Sequence, residues 1–231
     1  MSPLLGTGAA FFIADSQCLV NMLISEIMDR FMLSGDKLDE IQLSSSALKS
    51  RFVAIETVAW TASSFAAELC FQVSHVMCSI LSRNGEGHNV QPLPGVDKGI
   101  SDEVADVLFN IMNTANFLNL NISEVVTEDI LERSASIFAC RDINVLVMNL
   151  AIQSGTLWDA LFRSDGYKHK VLASDDNIRY IREALGGTLA ALMVVSKAVS
   201  IDIEEAFNTM HKDASLFLDK YKDKHQINNL I

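Results

Sequence analysis

One stretch of the sequence decides the fold: Glu103-Val-Ala-Asp106-Val-Leu-Phe-Asn110-Ile-Met-Asn-Thr-Ala-Asn-Phe-Leu-Asn-Leu-Asn-Ile122. Its apolar residues are typical of a core helix, and Glu103 and Asp106, three residues apart, share one face of that helix. Carboxylates placed in this way repel each other unless a cation or a basic partner lies between them, and magnesium suits such oxygen ligands. The alternative is a solvated acidic first turn that the helix dipole stabilises.

Helical spacing of apolar residues also dominates the rest of the chain. It predicts one helix over residues 12–33 and a longer helical segment from about 46 to 81, with a break near 61–64. The second segment should end at Arg83-Asn84-Gly85, where Asn and Gly suit a helix C-cap. Residues 84–99 hold four of the eleven glycines and two of the three prolines, and are predicted to form a loop. No stretch alternates with a period of two, so the sequence predicts an all-α fold.

Helix starts are predicted from residues that favour the N-cap position. Ser101 is the expected cap of the helix that carries Glu103. The expected caps of four later helices are Ser123, Asp142, Asp175 or Asp176, and Asp202.

Composition limits the classes of function. Of the 231 residues, 49% are hydrophobic, and 29 acidic against 18 basic residues give a net charge of −11. An acidic surface argues against general binding of nucleic acid or anionic membranes, because both require basic footprints. The most apolar late run, residues 185–201, contains Lys197 and is too short to span a bilayer. We therefore expect a soluble protein with no membrane span and no nucleic-acid partner.

The cysteines indicate a reducing compartment. Cys18, Cys70, Cys78 and Cys140 show neither CxxC spacing nor a histidine cluster, and are interpreted as small buried apolar residues rather than disulfides or zinc ligands. The apolar N-terminal stretch lacks the Lys or Arg of a secretory signal. The expected location is the cytoplasm or another reducing compartment.

The chain also contains a weak internal repeat. A shift of 81 residues aligns 66–126 with 147–207 without a gap, and ten of the 61 positions are identical. Among them, Gln72 falls on Gln153 and Met112 on Met193. The order of helix, Gly-containing loop, helix, turn and acidic helix start recurs in both segments, so the repeat predicts a duplication.

These features together resemble a known superfamily. A helix, a loop, a second helix that opens with Glu-x-x-Asp, a core stretch ending in Asn-x-x-x-Leu-Asn-Ile, and a further helix are similar to the all-α nucleoside triphosphate pyrophosphohydrolases: MazG-like proteins, dCTP pyrophosphatases and dimeric dUTPases. Residues 66–139 resemble one such unit and 147–221 a second. The resemblance implies N-terminal helices over 1–65, a first repeat over 66–139 and a degenerate second repeat over 140–231, packed as a single-chain pseudo-dimeric bundle.

The family's activity would be hydrolysis of a nucleoside triphosphate to the monophosphate and pyrophosphate, with magnesium as cofactor. Its metal site joins a Glu-x-x-Glu pair on one helix to a Glu-x-x-Asp pair on the next. Glu103 and Asp106 match the second pair, but Gln72 and His75 stand at the first. Glu68, one turn before Gln72, is the expected third metal ligand.

Other residues have both a binding and a structural interpretation. Gln72, His75 and Asn110 are candidate ligand-binding residues, although buried polar residues of this kind are often structural. Trp60 and Trp158 could stack on a nucleobase or pack in the core. In the second repeat, Gln153, Thr156, Ala184 and Gly187 stand at the metal positions, so no metal site is expected there.

Two functions therefore stay open. The favoured one is a catalytically silent relative that serves as a binding or scaffold subunit, with a protein partner or a second copy of the chain. The alternative is a magnesium-dependent hydrolase with a single nucleotide site in the first repeat.

Overall fold

The computed structural model describes residues 33–83, 99–140, 142–164 and 174–228. These residues form helices and no strand, which confirms the predicted all-α class. The helices are α1 (Gly35–Val53), α2 (Ala62–Arg83), α3 (Ile100–Phe117), α4 (Ile122–Val125), α5 (Glu128–Phe138), α6 (Ile143–Ser164), α7 (Ser174–Ala198) and α8 (Ile203–Asn228). The helix predicted over 12–33 and nearly all of the loop predicted over 84–99 lie outside the described residues.

The predicted break near residues 61–64 is placed too late, because the connection that separates α1 from α2 covers residues 54–61. The predicted helix start at about residue 46 is also wrong, since α1 begins at Gly35. Helix α2 ends at Arg83, as the Asn-Gly signal predicts. Helix α8 continues beyond Tyr221, where the resemblance ends, to Asn228.

Two predicted N-caps are wrong. Helix α3 is capped by Gly99 and not by Ser101, because the positive φ of 89° at Gly99 turns the chain into the helix without a side-chain cap. Helix α4 is capped by Asn121 and not by Ser123, since the Asn121 carboxamide oxygen accepts from the Ser123 backbone N–H at 3.1 Å. The helix predicted after Ser123 is divided in two, since α4 ends at Val125 and α5 begins at Glu128 with Thr127 as its cap.

Two other predicted caps agree with the structure. Asp142 accepts from the Asn144 backbone N–H at 2.9 Å, at the start of α6. Asp202 accepts from the N–H groups of Glu204 and Glu205 at 3.0 Å each, at the start of α8. The prediction that Asp175 or Asp176 caps α7 is wrong, because this helix begins at Ser174 and contains both residues.

The helix bounds recur at the 81-residue spacing. Helix α2 shifted by 81 residues coincides with α6, the end of α3 coincides with the end of α7, and the start of α4 coincides with the start of α8. The two described non-glycine residues with positive φ, Asn119 at 55° and Ser200 at 62°, are also 81 positions apart. Both follow a helix end, where Leu120 N–H bonds the Ala115 carbonyl at 2.9 Å and the corresponding N–H of Ile201 bonds Ser196 at 2.8 Å.

Four helices form the centre of the molecule. Helix α2 packs on α3, α6 packs on α7, and the two pairs meet through α2 with α6 and α3 with α7. Helices α4 and α5 then lie on α7, whereas α8 lies on α3 and α1. The final helix after each pair therefore covers the other pair. The shared core includes Leu69, Leu108, Ile111, Leu150, Leu157 and Leu189, all fully buried.

The outer surfaces of α2 and α6 are unusually apolar. Both helices are long and apolar enough to cross a membrane. About 39% of the most apolar 18-residue stretch of each helix is buried in the fold. A third such segment would result if the bent pair α7 and α8 counted as one. The apolar character of α2 and α6 was not predicted, and the sequence pointed only to the run over 185–201. The expected lack of a membrane span stays a prediction.

The cysteines differ from expectation. Cys70 and Cys140 are exposed and Cys78 is half-buried, so the prediction that these residues are buried is wrong for the first two. Cys70 lies on the outward, apolar face of α2, where helical periodicity alone does not reveal which apolar residues are covered. All three are free thiols. Cys18 lies outside the described residues.

Candidate functional site

A cavity of about 410 Å³ lies between α1, the 54–61 connection, α2, α3 and α8. Its volume is within the range of small-molecule sites. Five aromatic side chains form much of its wall: Phe52, Trp60, Phe65, Phe109 and Phe217. The neighbouring ring pairs Trp60–Phe65 and Phe52–Phe109, with centroids 4.9 and 6.5 Å apart, hold the wall together.

Four of the six candidate metal- and ligand-binding residues line this cavity: Glu68, Gln72, Asp106 and Asn110. Helices α2 and α3 bring them together, because the two run side by side and present these positions to the same space. The Gln72 Nε2 group donates to Glu68 Oε1 at 2.8 Å, one turn away on α2. The Gln72 side chain is therefore oriented by the carboxylate before it.

Glu103 and His75 lie elsewhere, in a buried pair beside the cavity. His75 Nδ1 is 3.1 Å from Glu103 Oε2, and the residues are 7% and 3% exposed. The ring of Phe71 covers the imidazole, with centroids 4.2 Å apart. Glu103 and Asp106 thus reach different surroundings, contrary to the expectation that they point the same way. The solvated-turn alternative does not hold for Glu103 either, since its carboxylate is buried.

Burial raises the pKa of the Glu103 carboxyl above its ordinary value. His75 acts in the opposite direction through its charge and hydrogen bond, and Asp102 adds a smaller upward effect. Because the pKa is raised on folding, the folded protein binds this proton more tightly than the unfolded chain does. The contribution of Glu103 to stability is therefore fully present below its unfolded pKa, near 4.5, and is lost as the pH rises through the folded pKa.

A pH-dependent measurement of stability checks this direction. We expect the free energy of unfolding of the parent, minus that of Glu103→Gln, to decrease as the pH rises from about 4 to 7. Urea unfolding at a series of pH values measures this difference. The control is Glu132→Gln, at an exposed position on α5, which should follow the parent at every pH. A difference that grows with pH would mean that attraction to His75 outweighs burial.

Magnesium, which the resemblance implies, requires a near-octahedral set of oxygen ligands. The three expected ligands were Glu68, Glu103 and Asp106. Glu103 faces His75, and Glu68 accepts from Gln72. Within residues 33–83, 99–140, 142–164 and 174–228, no group of three or more His, Cys, Asp or Glu side chains is arranged to hold a metal ion. The donor set as arranged does not fit the ion.

The equivalent positions after the 81-residue shift have a different character. Ala184 is buried on α7, and the space beside Gly187 is taken by the Gln153 side chain. Gly187 thus takes the position of Asp106, and Gln153 takes the position of Gln72.

The cavity also contains residues that the sequence did not single out. Lys49 Nζ is 2.5 Å from Glu56 Oε1 and 3.6 Å from the centroid of the Trp60 ring. Asp213 and Phe217 enter from α8, more than 90 residues beyond α3 in the chain. Their spacing of four residues on α8 was a signal for a shared face, but nothing in the sequence indicated that this face meets α3.

The two tryptophans have separate surroundings. Trp60 lines the cavity and contacts Lys49, whereas Trp158 is 36% exposed on α6 and lies against Phe162, with ring centroids 4.6 Å apart. Neither is a fully buried core residue.

No family model, no curated protein and no solved structure matches this chain. The superfamily assignment stays a prediction.

Proposed function

We propose that this chain is a catalytically silent relative of the all-α nucleoside triphosphate pyrophosphohydrolases, and that it acts as a binding or scaffold subunit. The observation that carries the proposal is the buried pair of His75 and Glu103, 3.1 Å apart. By its resemblance to the family, this chain has His75 at a position where the family has a carboxylate. Glu103 stands at the position of a family metal ligand. An imidazole nitrogen that already satisfies Glu103 removes the need for a cation at that carboxylate.

The arrangement of the helices supports the duplicated, pseudo-dimeric form of this proposal. Helix ends, positive-φ residues and C-terminal hydrogen bonds recur 81 residues apart, although sequence identity between the two segments is low. Helix α8 lies on α3 and helix α5 on α7, so each helix pair is completed by the segment that follows the other. Such an exchange is what a symmetric dimer fused into one chain would have.

One observation favours the alternative, a magnesium-dependent hydrolase with one site. Glu68 and Asp106 line the same cavity, together with Asp102 on α3. Carboxylate oxygens from α2 and α3 could then bind magnesium beside a nucleotide, and the cavity is large enough for the base or sugar of that nucleotide.

Magnesium separates the two candidates. For the parent protein we expect no rise in melting temperature with millimolar magnesium and no release of pyrophosphate from a panel of nucleoside triphosphates. Asp106→Asn should behave like the parent in both measurements. A rise in the parent that Asp106→Asn abolishes, together with turnover, would overturn the silent interpretation in favour of the hydrolase.

A restored ligand set provides the positive arm of this experiment. In Gln72→Glu/His75→Glu, a carboxylate at position 75 would face Glu103 in place of the imidazole, and one at position 72 would join Glu68 and Asp106 at the cavity. Magnesium should relieve the repulsion within these carboxylates only in the folded state. At a hundredfold excess over its dissociation constant the ion would add about 2.7 kcal/mol to the free energy of unfolding. The matched control is Gln153→Glu/Thr156→Glu, which makes the same changes opposite Ala184 and Gly187 and should show no magnesium response.

A further inference from the structure

The Lys49 ammonium indicates which chemistry the cavity wall accepts. It lies 3.6 Å from the centroid of the Trp60 ring and 2.5 Å from Glu56 Oε1. An aromatic face beside a carboxylate is the arrangement that binds organic cations, because the ring quadrupole and the negative charge both attract positive charge. The protein thus holds one of its own cations at the edge of the cavity.

The charges around the cavity extend this preference. The described lining residues include five carboxylates and one lysine: Glu56, Glu68, Asp102, Asp106, Asp213 and Lys49. The lysine is already paired with Glu56. Glu68 and Asp213 add negative charge that Lys49 does not neutralise, so a cation that enters would be attracted and an anion repelled.

Two lining residues also have buried acceptor atoms that lack a donor. Glu56 Oε2 and Gln72 Oε1 are inaccessible to solvent and have no hydrogen-bond partner among the described residues. A buried acceptor without a donor costs free energy, and a ligand that supplies an N–H group would recover that cost. Both atoms are acceptors, so the missing partner is a donor.

From these three observations we infer that the cavity binds a small organic cation that carries N–H donors on a flat, apolar body. Its charged end lies between Glu56 and Gln72, and its ring packs against the aromatic wall formed by Phe52, Trp60 and Phe109. This inference rests on the proposed function only in taking the cavity as a binding site rather than a reaction centre.

Three probes of nearly identical shape test the ligand class. Benzamidine is a planar cation with N–H donors, benzamide is its neutral counterpart, and benzoate is the anion. By calorimetric titration at low salt we expect benzamidine to bind at least tenfold more tightly than benzamide, and benzoate to bind more weakly than both. We also expect the affinity for benzamidine to fall as the salt concentration rises, since the attraction is electrostatic.

Substitutions with matched controls locate the binding. Glu56→Gln and Trp60→Leu should each weaken benzamidine binding by roughly tenfold, the scale of one ion pair or cation–π contact. The controls are Glu132→Gln and Trp158→Leu, which alter the same residue types outside the cavity and should bind like the parent. Circular dichroism of all four variants identifies any that fail to fold. Gln72→Leu is a further cavity variant, because it removes the buried acceptor Gln72 Oε1, and it should also weaken benzamidine binding.

Two binding results would contradict the proposed ligand class. Tighter binding of benzoate than of benzamidine would overturn the inference, and so would benzamidine binding that Glu56→Gln, Trp60→Leu and Gln72→Leu all leave unchanged. Magnesium-dependent release of pyrophosphate would overturn the proposed function instead, and it is measured without any of these probes. The two failures are therefore distinguishable.

Discussion

Replacement of Gly186 with alanine is expected to lower the free energy of unfolding by roughly 2 kcal/mol, although alanine is the better helix former. Gly186 is buried on α7, where the segment of α4 and α5 crosses it. A Cβ atom at this position would overlap the Val125 carbonyl oxygen and press on the Ile130 side chain. The backbone carbonyl cannot move aside as a side chain can, so α4 would have to shift. Thermal unfolding should show a melting temperature about 4–8 °C lower.

Gly155 provides the matched control for this substitution. It lies on the exposed face of α6, and nothing lies within 4 Å of the position that its Cβ would occupy. Gly155→Ala should therefore raise the free energy of unfolding by about 0.5–1 kcal/mol through helix propensity alone. If both variants were stabilised alike, the close approach of α4 to α7 would be refuted.

Removal of His75 should have a still larger effect. In His75→Leu the Glu103 carboxylate would remain buried without its hydrogen-bond partner, and an unpaired buried charge costs about 3–5 kcal/mol. The melting temperature should fall by roughly 10 °C at neutral pH. Part of the loss should be recovered at acidic pH, because protonation of Glu103 removes the buried charge.

A double substitution separates this charge effect from lost packing. His75→Leu/Glu103→Leu replaces the pair by apolar side chains, which is often nearly neutral, so it should be much more stable than His75→Leu. His211→Leu on α8 is the control for the residue type, since His211 contacts the Phe207 ring. We expect it to change stability by less than about 1 kcal/mol. If the double variant were as unstable as His75→Leu, the role of His75 would be packing rather than charge.

The helical class and most helix ends could be predicted because they depend on local sequence. Apolar spacing identified α2 and α3, and Asp142 and Asp202 were recognised as caps from their residue type. Ser101 and Ser123 are not caps because each helix begins two residues earlier than predicted, after Gly99 and Asn121. The division into α4 and α5 was not predicted, because neither Gly nor Pro marks the break at Val126 and Thr127.

The candidate site could be predicted only in part, for a physical reason. Glu68, Gln72, Asp106 and Asn110 share the α2–α3 surface, which spacing along two neighbouring helices reveals. The separation of Glu103 from Asp106 was hidden, because three residues on a helix differ by about 60° in direction, enough to place one carboxylate in the interior and the other in a cavity. The contribution of Asp213 and Phe217 depends on a tertiary contact that no local pattern encodes.

The position of α8 on α1 and α3 has a consequence for the order in which the molecule assembles. Lys37 bonds Glu204 across 167 residues and Arg51 bonds Asp219 across 168, so the fold has contacts of very high sequence separation. At a synthesis rate of about 5–20 residues per second, α8 leaves the ribosome roughly 5–20 s after α3. During that interval the nascent chain exposes the apolar flank of α3, the situation in which chaperones are needed. The cavity itself exists only once residues 203–228 have emerged, so ligand cannot assist folding before translation of this helix is complete.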